Sequence, residues 1–215
     1  MARLLLLFLM GPALLGSNAH ADPPGGRLRD MAERAGLRPQ VLEAALRAHR
    51  RAIASRLTFS PLLTVIDYSL PSRARRLWVL DLATERVLAR EYVAHGRNSG
   101  DDLARRFSDR AGSLQSSLGL FLTGQVYQGK HGLSLRLRGL DPRLNGHAEA
   151  RAIVIHGADY VNERTIAALG RLGRSQGCVA LDRAVAGRII QLIRDGTALY
   201  AYHPSAARES SLAAS

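Results

Sequence analysis

Ala152-Ile153-Val154-Ile155-His156-Gly157 is a short apolar run that ends in a histidine, and Gly173-Arg174-Ser175-Gln176-Gly177-Cys178 follows it. A continuous apolar run of this length, closed by a glycine, is typical of a buried β-strand. Cys178 is the only cysteine in the chain. A thiol nucleophile needs a base to take its proton, and histidine is the commonest partner. The two stretches therefore predict a nucleophile, Cys178, and a base, His156.

The N-terminus indicates export. Arg3 precedes an apolar run from Leu4 to Leu15, and Ala19-His20-Ala21 supplies a small-residue cleavage site, so residues 1–21 resemble a secretory signal peptide. The run is shorter than the ~20 residues that a membrane span needs. We expect a periplasmic protein, with no stable membrane span after cleavage.

Export makes the lone thiol informative, because paired cysteines outside the cytoplasm usually become disulfides. A buried core cysteine and an intermolecular bridge are the alternatives. The glycine-flanked, polar setting of Cys178 argues against a core position, since core cysteines usually lie within apolar periodic segments.

The formal net charge is +12, and Lys130 is the sole lysine. Basic chains can bind nucleic acid, but an exported chain seldom meets any, and this one has no long basic run and only 5% aromatic residues. We expect no nucleic-acid partner. Arginine forks suit carboxylates, which are abundant in a bacterial cell wall.

Periodicity predicts an organisation in four parts. Residues 22–57 form a linker and a helical N-terminal arm, with one helix over residues 27–35 and another that begins at Pro39, a favoured early-helix position. Residues 58–204 form one domain, and residues 205–215 form a disordered tail. The domain opens with three short runs rich in β-branched and aromatic residues, at 63–68, 76–81 and 86–93, which predict an antiparallel meander.

The second half of the domain is less regular. Residues 95–146 contain nine of the twenty glycines and two further candidate strands, at 120–127 and 134–140, and we interpret this segment as the ordered wall of a groove. A helix after Asp182, a favoured N-cap, and a last strand at 197–202 complete the domain. The fold class is therefore mostly β (α+β). A thiol ahead of a helix N-terminus would have its thiolate favoured.

These residues resemble a known family. Ile-His-Gly at 155–157, followed by Ser-x-Gly-Cys at 175–178, is similar to the signature of the L,D-transpeptidases, the YkuD-type cell-wall enzymes. The wider set is similar to their murein L,D-transpeptidase catalytic-domain-like branch and comprises Val65-Ile66-Asp67, His95-Gly96, Ser99-Gly100, residues 113–119, Tyr127, Gly129-Lys130-His131-Gly132 and residues 173–178.

The resemblance implies a YkuD-like β-sandwich catalytic domain and acyl transfer between peptidoglycan stem peptides through a Cys178 thioester. A 3-3 or 1-3 crosslink to a diaminopimelate amine would result. His156 would be the acid and base, and the Gly157 carbonyl would orient its ring. Neither a cofactor nor a metal is implied. The remaining candidates are loop and oxyanion support by Ser175, Gln176 and Gly177, and substrate binding by His95, Tyr127, His131 and Arg174.

The sequence departs from the family at two places. Gln176 stands where most relatives have histidine, and Val179-Ala180 stands where many have an apolar residue and arginine. Arg174 is the replacement candidate for holding a substrate carboxylate. Two other functions stay open: an L,D-carboxypeptidase or amidase on the same scaffold, and a non-catalytic wall-binding module with Cys178 buried.

Overall fold

The structure is a computed structural model, and it describes residues 26–206. The predicted signal peptide and all but the first two residues of the predicted tail lie outside this range. Four helices and eight strands follow one another in the order α1 Gly26–Arg34, α2 Pro39–Ala54, β1 Leu62–Asp67, β2 Arg75–Asp81, β3 Arg86–Ala94, β4 Gly119–Gly129, β5 Gly132–Gly139, β6 Val154–Ala158, α3 Glu163–Leu169, β7 Val179–Asp182, α4 Arg183–Ile193 and β8 Ala198–Tyr202. Within residues 26–206, no helix is long and apolar enough to cross a membrane.

The eight strands form one closed sheet in the order β1-β2-β3-β7-β6-β5-β4-β8. The predicted mostly β class is confirmed, and β1, β2 and β3 pair as the predicted antiparallel meander. The sandwich expected from the resemblance is in detail a barrel, because hydrogen-bonded pairing continues around all eight strands. Two of the pairs are parallel, β1 with β8 and β6 with β7.

Two apolar clusters place the helices on this barrel. Alternate strand residues such as Leu135, Ile155 and Leu181 share the main core with the apolar face of α4, including Ile189. The predicted N-terminal arm, α1 and α2, packs on the outer face of β1, β2 and β8. Trp78 is fully buried there and donates from Nε1 to the Ala35 carbonyl oxygen (2.8 Å). The arm is thus integral to the domain.

Two sequence expectations about the central stretch are wrong in detail. The strand β6 begins at Val154, because Ala152 has a φ of +53°, and it continues through Ala158, so His156 lies inside the strand rather than at its end. Strand β7 separates Cys178 from α4. The thiol therefore gains nothing from a helix N-terminus, whose field fades within one turn.

His95 belongs to a buried polar cluster that sequence reasoning missed. Arg76 is fully buried and donates to the His95 Nδ1 (2.8 Å) and to the Val93 carbonyl oxygen (3.0 Å). The Nε2 of His95 donates to the Gly100 carbonyl oxygen (3.2 Å). Burial, and then the Arg76 charge, lower the pKa of His95 to about 4.

We expect acid to destabilise the fold through His95. A histidine whose pKa is lowered by folding contributes stability that is complete above its unfolded pKa, near 6.5, and is lost as the pH falls toward about 4. The free energy of unfolding should fall by on the order of 3 kcal/mol over this range. Urea unfolding of the wild type at pH 7 and pH 4 measures it.

The variant His95→Gln should have a smaller difference between the two pH values, although it is less stable at pH 7 because Arg76 loses an acceptor. His147→Gln removes a largely exposed histidine and serves as the control. An unchanged pH difference in His95→Gln would assign the acid sensitivity elsewhere.

Candidate active site

A cavity of about 580 Å³ lies on the outer face of the barrel beside β6 and β7. Its walls contain both predicted reacting residues, Cys178 and His156, together with most of the residues that were predicted around them. These are Tyr127, His131, Arg174, Ser175 and Gln176.

Strand register brings the cysteine and the histidine to the same face. In the parallel β6–β7 pair, Ile155 is opposite Val179 and His156 is opposite Ala180. Side chains alternate along a strand, so Ile155 and Val179 enter the core while His156 and Cys178 face outward. The Sγ of Cys178 lies 3.7 Å from the Ala152 carbonyl oxygen.

His156 has a fixed ring orientation. Its Nδ1 donates to the Gly157 carbonyl oxygen (3.0 Å), which is the contact that the resemblance implied. This bond leaves Nε2 as the ring nitrogen that can accept a proton. Burial, which outweighs the Gly157 bond, lowers the pKa of His156 below its usual value, and electrostatic interactions with His131, Arg183 and Lys130 lower it further. The imidazole is therefore neutral at pH 7.

Cys178 is half-buried, and that burial raises the pKa of its thiol above 9.0. A backbone bond from Val154 and the charges of Arg151 and Lys130 oppose the rise without cancelling it. At pH 7 the cavity consequently contains a neutral thiol, which donates to the Ala152 carbonyl oxygen, and a neutral imidazole. The expected preference for the thiolate is not met, because burial raises the pKa of the thiol and no helix N-terminus lies next to it to oppose the rise.

Hydrogen bonds and close packing hold the loop before Cys178. Ser175 accepts from the Gly177 N–H (3.1 Å) and donates to the Cys178 carbonyl oxygen (2.7 Å) through its hydroxyl. Gly177 has a φ of +119°, and a Cβ there would lie 2.9 Å from the Gln115 carbonyl oxygen. Only glycine fits this position. Because Ser175 occupies the Gly177 N–H, that group is not a free oxyanion donor, while Gln176 is exposed at the cavity.

The turn between β4 and β5 covers the histidine. The His131 ring stacks on the His156 ring, with centroids 4.3 Å apart and planes inclined by 19°. Tyr127 lies on the same hairpin, where the Arg136 guanidinium is 4.6 Å from its ring centre. Both predicted substrate contacts, His131 and Tyr127, thus line the cavity from above β6.

Two other predicted substrate contacts have different surroundings. His95 does not line the cavity, because it is fully buried and both its ring nitrogens are hydrogen-bonded within the protein. Arg174 does line the cavity, but its guanidinium donates to the Asp101 carboxylate (2.6 Å) and to the Gly100 carbonyl oxygen (3.3 Å). A substrate carboxylate bound at Arg174 would have to share the guanidinium with the Asp101 carboxylate.

Arg151 is the principal residue that sequence reasoning missed. Its side chain is 5% exposed, and its guanidinium donates to the Ser108 carbonyl oxygen (2.7 Å), the Ser117 hydroxyl (2.6 Å) and the Gln115 carbonyl oxygen (2.8 Å). It thereby orders the irregular wall predicted between residues 95 and 146. No signal distinguished Arg151 among so many arginines, since its partners are more than thirty positions away.

Tyr160 was missed as well. It lines the cavity, and burial with the nearby Cys178 raises its pKa to about 12. A Cβ on Gly173 would lie 2.4 Å from the Tyr160 Cβ, so the glycine before Arg174 lets the tyrosine pack against the loop.

Comparison with solved structures gives distant likenesses. They include an L,D-transpeptidase from Mycobacterium smegmatis (13% identity, 67% of this chain and 59% of that chain, TM-score 0.42) and one from Xylanimonas cellulosilytica (17%, 82% and 80%, 0.41). L,D-transpeptidase 3 from Mycobacterium tuberculosis in complex with a faropenem-derived adduct is another (11%, 66% and 60%, 0.44). The chain spans 59% of the length of the first of these. At such identities and TM-scores, none of the likenesses carries an argument.

No curated protein matches this chain. The family comparison is decisive, because the profile of the L,D-transpeptidase catalytic domain (YkuD_2) matches residues 33–202. The match begins at the last two residues of α1, so it includes all of α2 as well as the barrel. The chain therefore belongs to the L,D-transpeptidase catalytic domain family.

Proposed function

We propose that the protein is a peptidoglycan L,D-transpeptidase that uses Cys178 as its nucleophile and His156 as its acid and base. The observation that carries this proposal is that both side chains face one cavity in a chain of this family. The signal peptide expected at residues 1–21 supports a periplasmic location, where the substrate is found.

In the first half-reaction, Sγ attacks a carbonyl carbon of a donor stem peptide as Nε2 of His156 takes the thiol proton. The S–C bond forms, the C–N bond breaks, and the proton passes to the leaving amine. Starting from a neutral pair, this step develops charge only as the attack proceeds. Lys130 and Arg151, the two cations that oppose the raised pKa of Cys178, favour the thiolate that develops then.

In the second half-reaction, a diaminopimelate amine of a neighbouring stem attacks the thioester carbonyl. The new C–N bond forms, the C–S bond breaks, and His156 transfers the amine proton to the sulfur. Water in place of the amine would release a shortened stem peptide instead. The Gly177 N–H is already engaged, so we assign the oxyanion to the cations and to other backbone donors.

The products decide between transfer and hydrolysis. The purified protein is incubated with disaccharide-tetrapeptide muropeptides, and the products are separated and weighed by mass spectrometry. Crosslinked dimers are expected. Shortened monomers without dimers would establish a carboxypeptidase, and an unchanged substrate with no protein adduct would leave only a wall-binding role.

Removal of the His131 ring should leave the His156 ring less firmly positioned. An aromatic pair of this geometry contributes about 1 kcal/mol, so His131→Ala is expected to lower kcat/KM for acylation by about fivefold. His131→Phe keeps a stacked ring without a cationic form and should restore part of the loss. His131→Phe should also shift the acid limb of the pH profile to higher pH, because His131 lowers the pKa of His156. An acid limb equal to the wild type's would contradict this contact.

A further inference from the structure

The cavity at Cys178 is the first of three that adjoin one another across the surface. It shares Ala111, Ala150 and Arg151 with a second cavity of about 680 Å³. The second cavity shares Pro142, Arg143 and Leu144 with a third, of about 930 Å³. The third lies between the helical arm and the barrel. We call these the site cavity, the middle cavity and the arm cavity.

The three cavities are strongly basic. Their walls contain seven basic side chains and two acidic ones, Asp109 and Asp141. The Asp109 carboxylate is already paired with Arg151 and His147. The basic set comprises Arg47, Arg51, Arg110, Lys130, Arg143, Arg151 and Arg174.

Most of these cations are available to a ligand. Arg151 and Arg174 have acidic partners within the protein. The other five basic side chains are exposed and enter no ion pair among residues 26–206. They are distributed over all three cavities, so the positive electrostatic potential extends along the whole series of cavities and is not concentrated at Cys178 alone.

Apolar and aromatic surface lies between the charges. Phe107, Leu118 and Leu144 line the middle cavity. Tyr200 and Tyr202, both half-buried, line the arm cavity below Arg47 and Arg51 of α2. Arg51 and Arg47 are close enough to oppose the rise in the pKa of Tyr200 that burial causes. Aromatic faces beside arginine forks suit a ligand with carbohydrate rings and carboxylates.

We propose that this row of cavities binds the peptidoglycan polymer beyond the stem that reacts at Cys178, with the helical arm forming the distal part of the site. The ligand is a glycan strand with carboxylate-bearing peptides, spaced so that several carboxylates meet arginines at once. This inference rests on the proposed function for the identity of the polymer. It gives the arm a binding role that a purely structural prefix would not have.

The test separates binding from catalysis by working in the Cys178→Ala background, where no turnover occurs. Sedimentation with purified peptidoglycan sacculi measures the affinity. The groove variant is Arg47→Gln, Arg51→Gln and Arg143→Gln together. The matched control is Arg27→Gln, Arg50→Gln and Arg86→Gln, three exposed arginines outside the three cavities that change the net charge equally.

We expect the groove variant to bind sacculi about tenfold more weakly than its parent, since exposed ion pairs contribute about twofold each. The control should remain within about twofold. Sacculi whose carboxylates have been converted to amides should bind the parent about tenfold more weakly, and the two triple variants should then bind them equally. In an active background, the ratio of turnover on sacculi to turnover on disaccharide-tetrapeptide should fall in the groove variant only.

Equal binding of the groove and control variants to native sacculi would overturn the proposal. So would an unchanged affinity of the parent for sacculi whose carboxylates have been converted to amides. The groove variant could instead lose more affinity for a double-stranded DNA fragment than for sacculi. That result would assign the basic row to nucleic acid and would also overturn the proposal. Thermal unfolding of both variants excludes misfolding as the cause. Because binding is measured without the thiol, a failure of the catalytic proposal would appear in the muropeptide products and not here.

Discussion

Cys178→Ala is expected to lower acyl transfer to muropeptides by about 10⁴-fold or more, to the limit of detection. The nucleophile forms the covalent intermediate, and a methyl group cannot replace it. Intact-protein mass spectrometry provides the most direct measurement. Wild-type protein mixed with a donor muropeptide should gain the mass of the acyl group, and the variant should gain none.

Two controls sharpen this result. Cys178→Ser keeps the size of the side chain but lacks the nucleophilicity of sulfur, and it should also fail to accumulate an adduct. Arg164→Gln alters an exposed side chain outside the cavity, and we expect it to retain the adduct. An adduct on Cys178→Ala would mean that another residue is the nucleophile. Thermal unfolding should differ little between the wild type and Cys178→Ala, because the thiol is only half-buried.

His156→Ala is expected to lower the rate of acylation by about 10³-fold, within the range typical for the loss of a general base. The thiol is neutral at pH 7 because burial raises its pKa, so it cannot attack until a base removes its proton. Free imidazole added to His156→Ala should recover part of the rate. Recovery would identify a proton-transfer role, which a purely structural histidine would not give. Acylation at the wild-type rate would mean that the base is elsewhere.

The pH dependence of wild-type acylation follows from the same pair. The base must be neutral, so the rate falls when the pH drops through the pKa of His156, which lies below 6.5. Burial raises the pKa of the Cys178 thiol, so the thiol loses its own proton only at alkaline pH. We therefore expect a broad plateau across neutral pH, measured as kcat/KM for adduct formation. An acid limb above pH 6.5 would contradict the environment of His156.

The helical arm and the strands were accessible from sequence because their signals are local. The start of α2 at Pro39 and the meander β1–β3 each depend on periodicity and turn residues within a few positions. The same local reasoning placed His156 at a strand end and Cys178 before a helix. Both were wrong by a few residues, since a strand's last hydrogen bond depends on its neighbours in the sheet.

The sequence by itself determined the class of the fold and the family, and it predicted the pairing of Cys178 with His156, because these depend on residue types at fixed spacings. Only the tertiary structure decided that His131 covers His156, that Arg151 fixes the groove wall and that His95 is internal. It also decided that burial raises the pKa of the Cys178 thiol. These properties arise from contacts between residues far apart in the chain and from burial, and neither leaves a pattern in the local sequence.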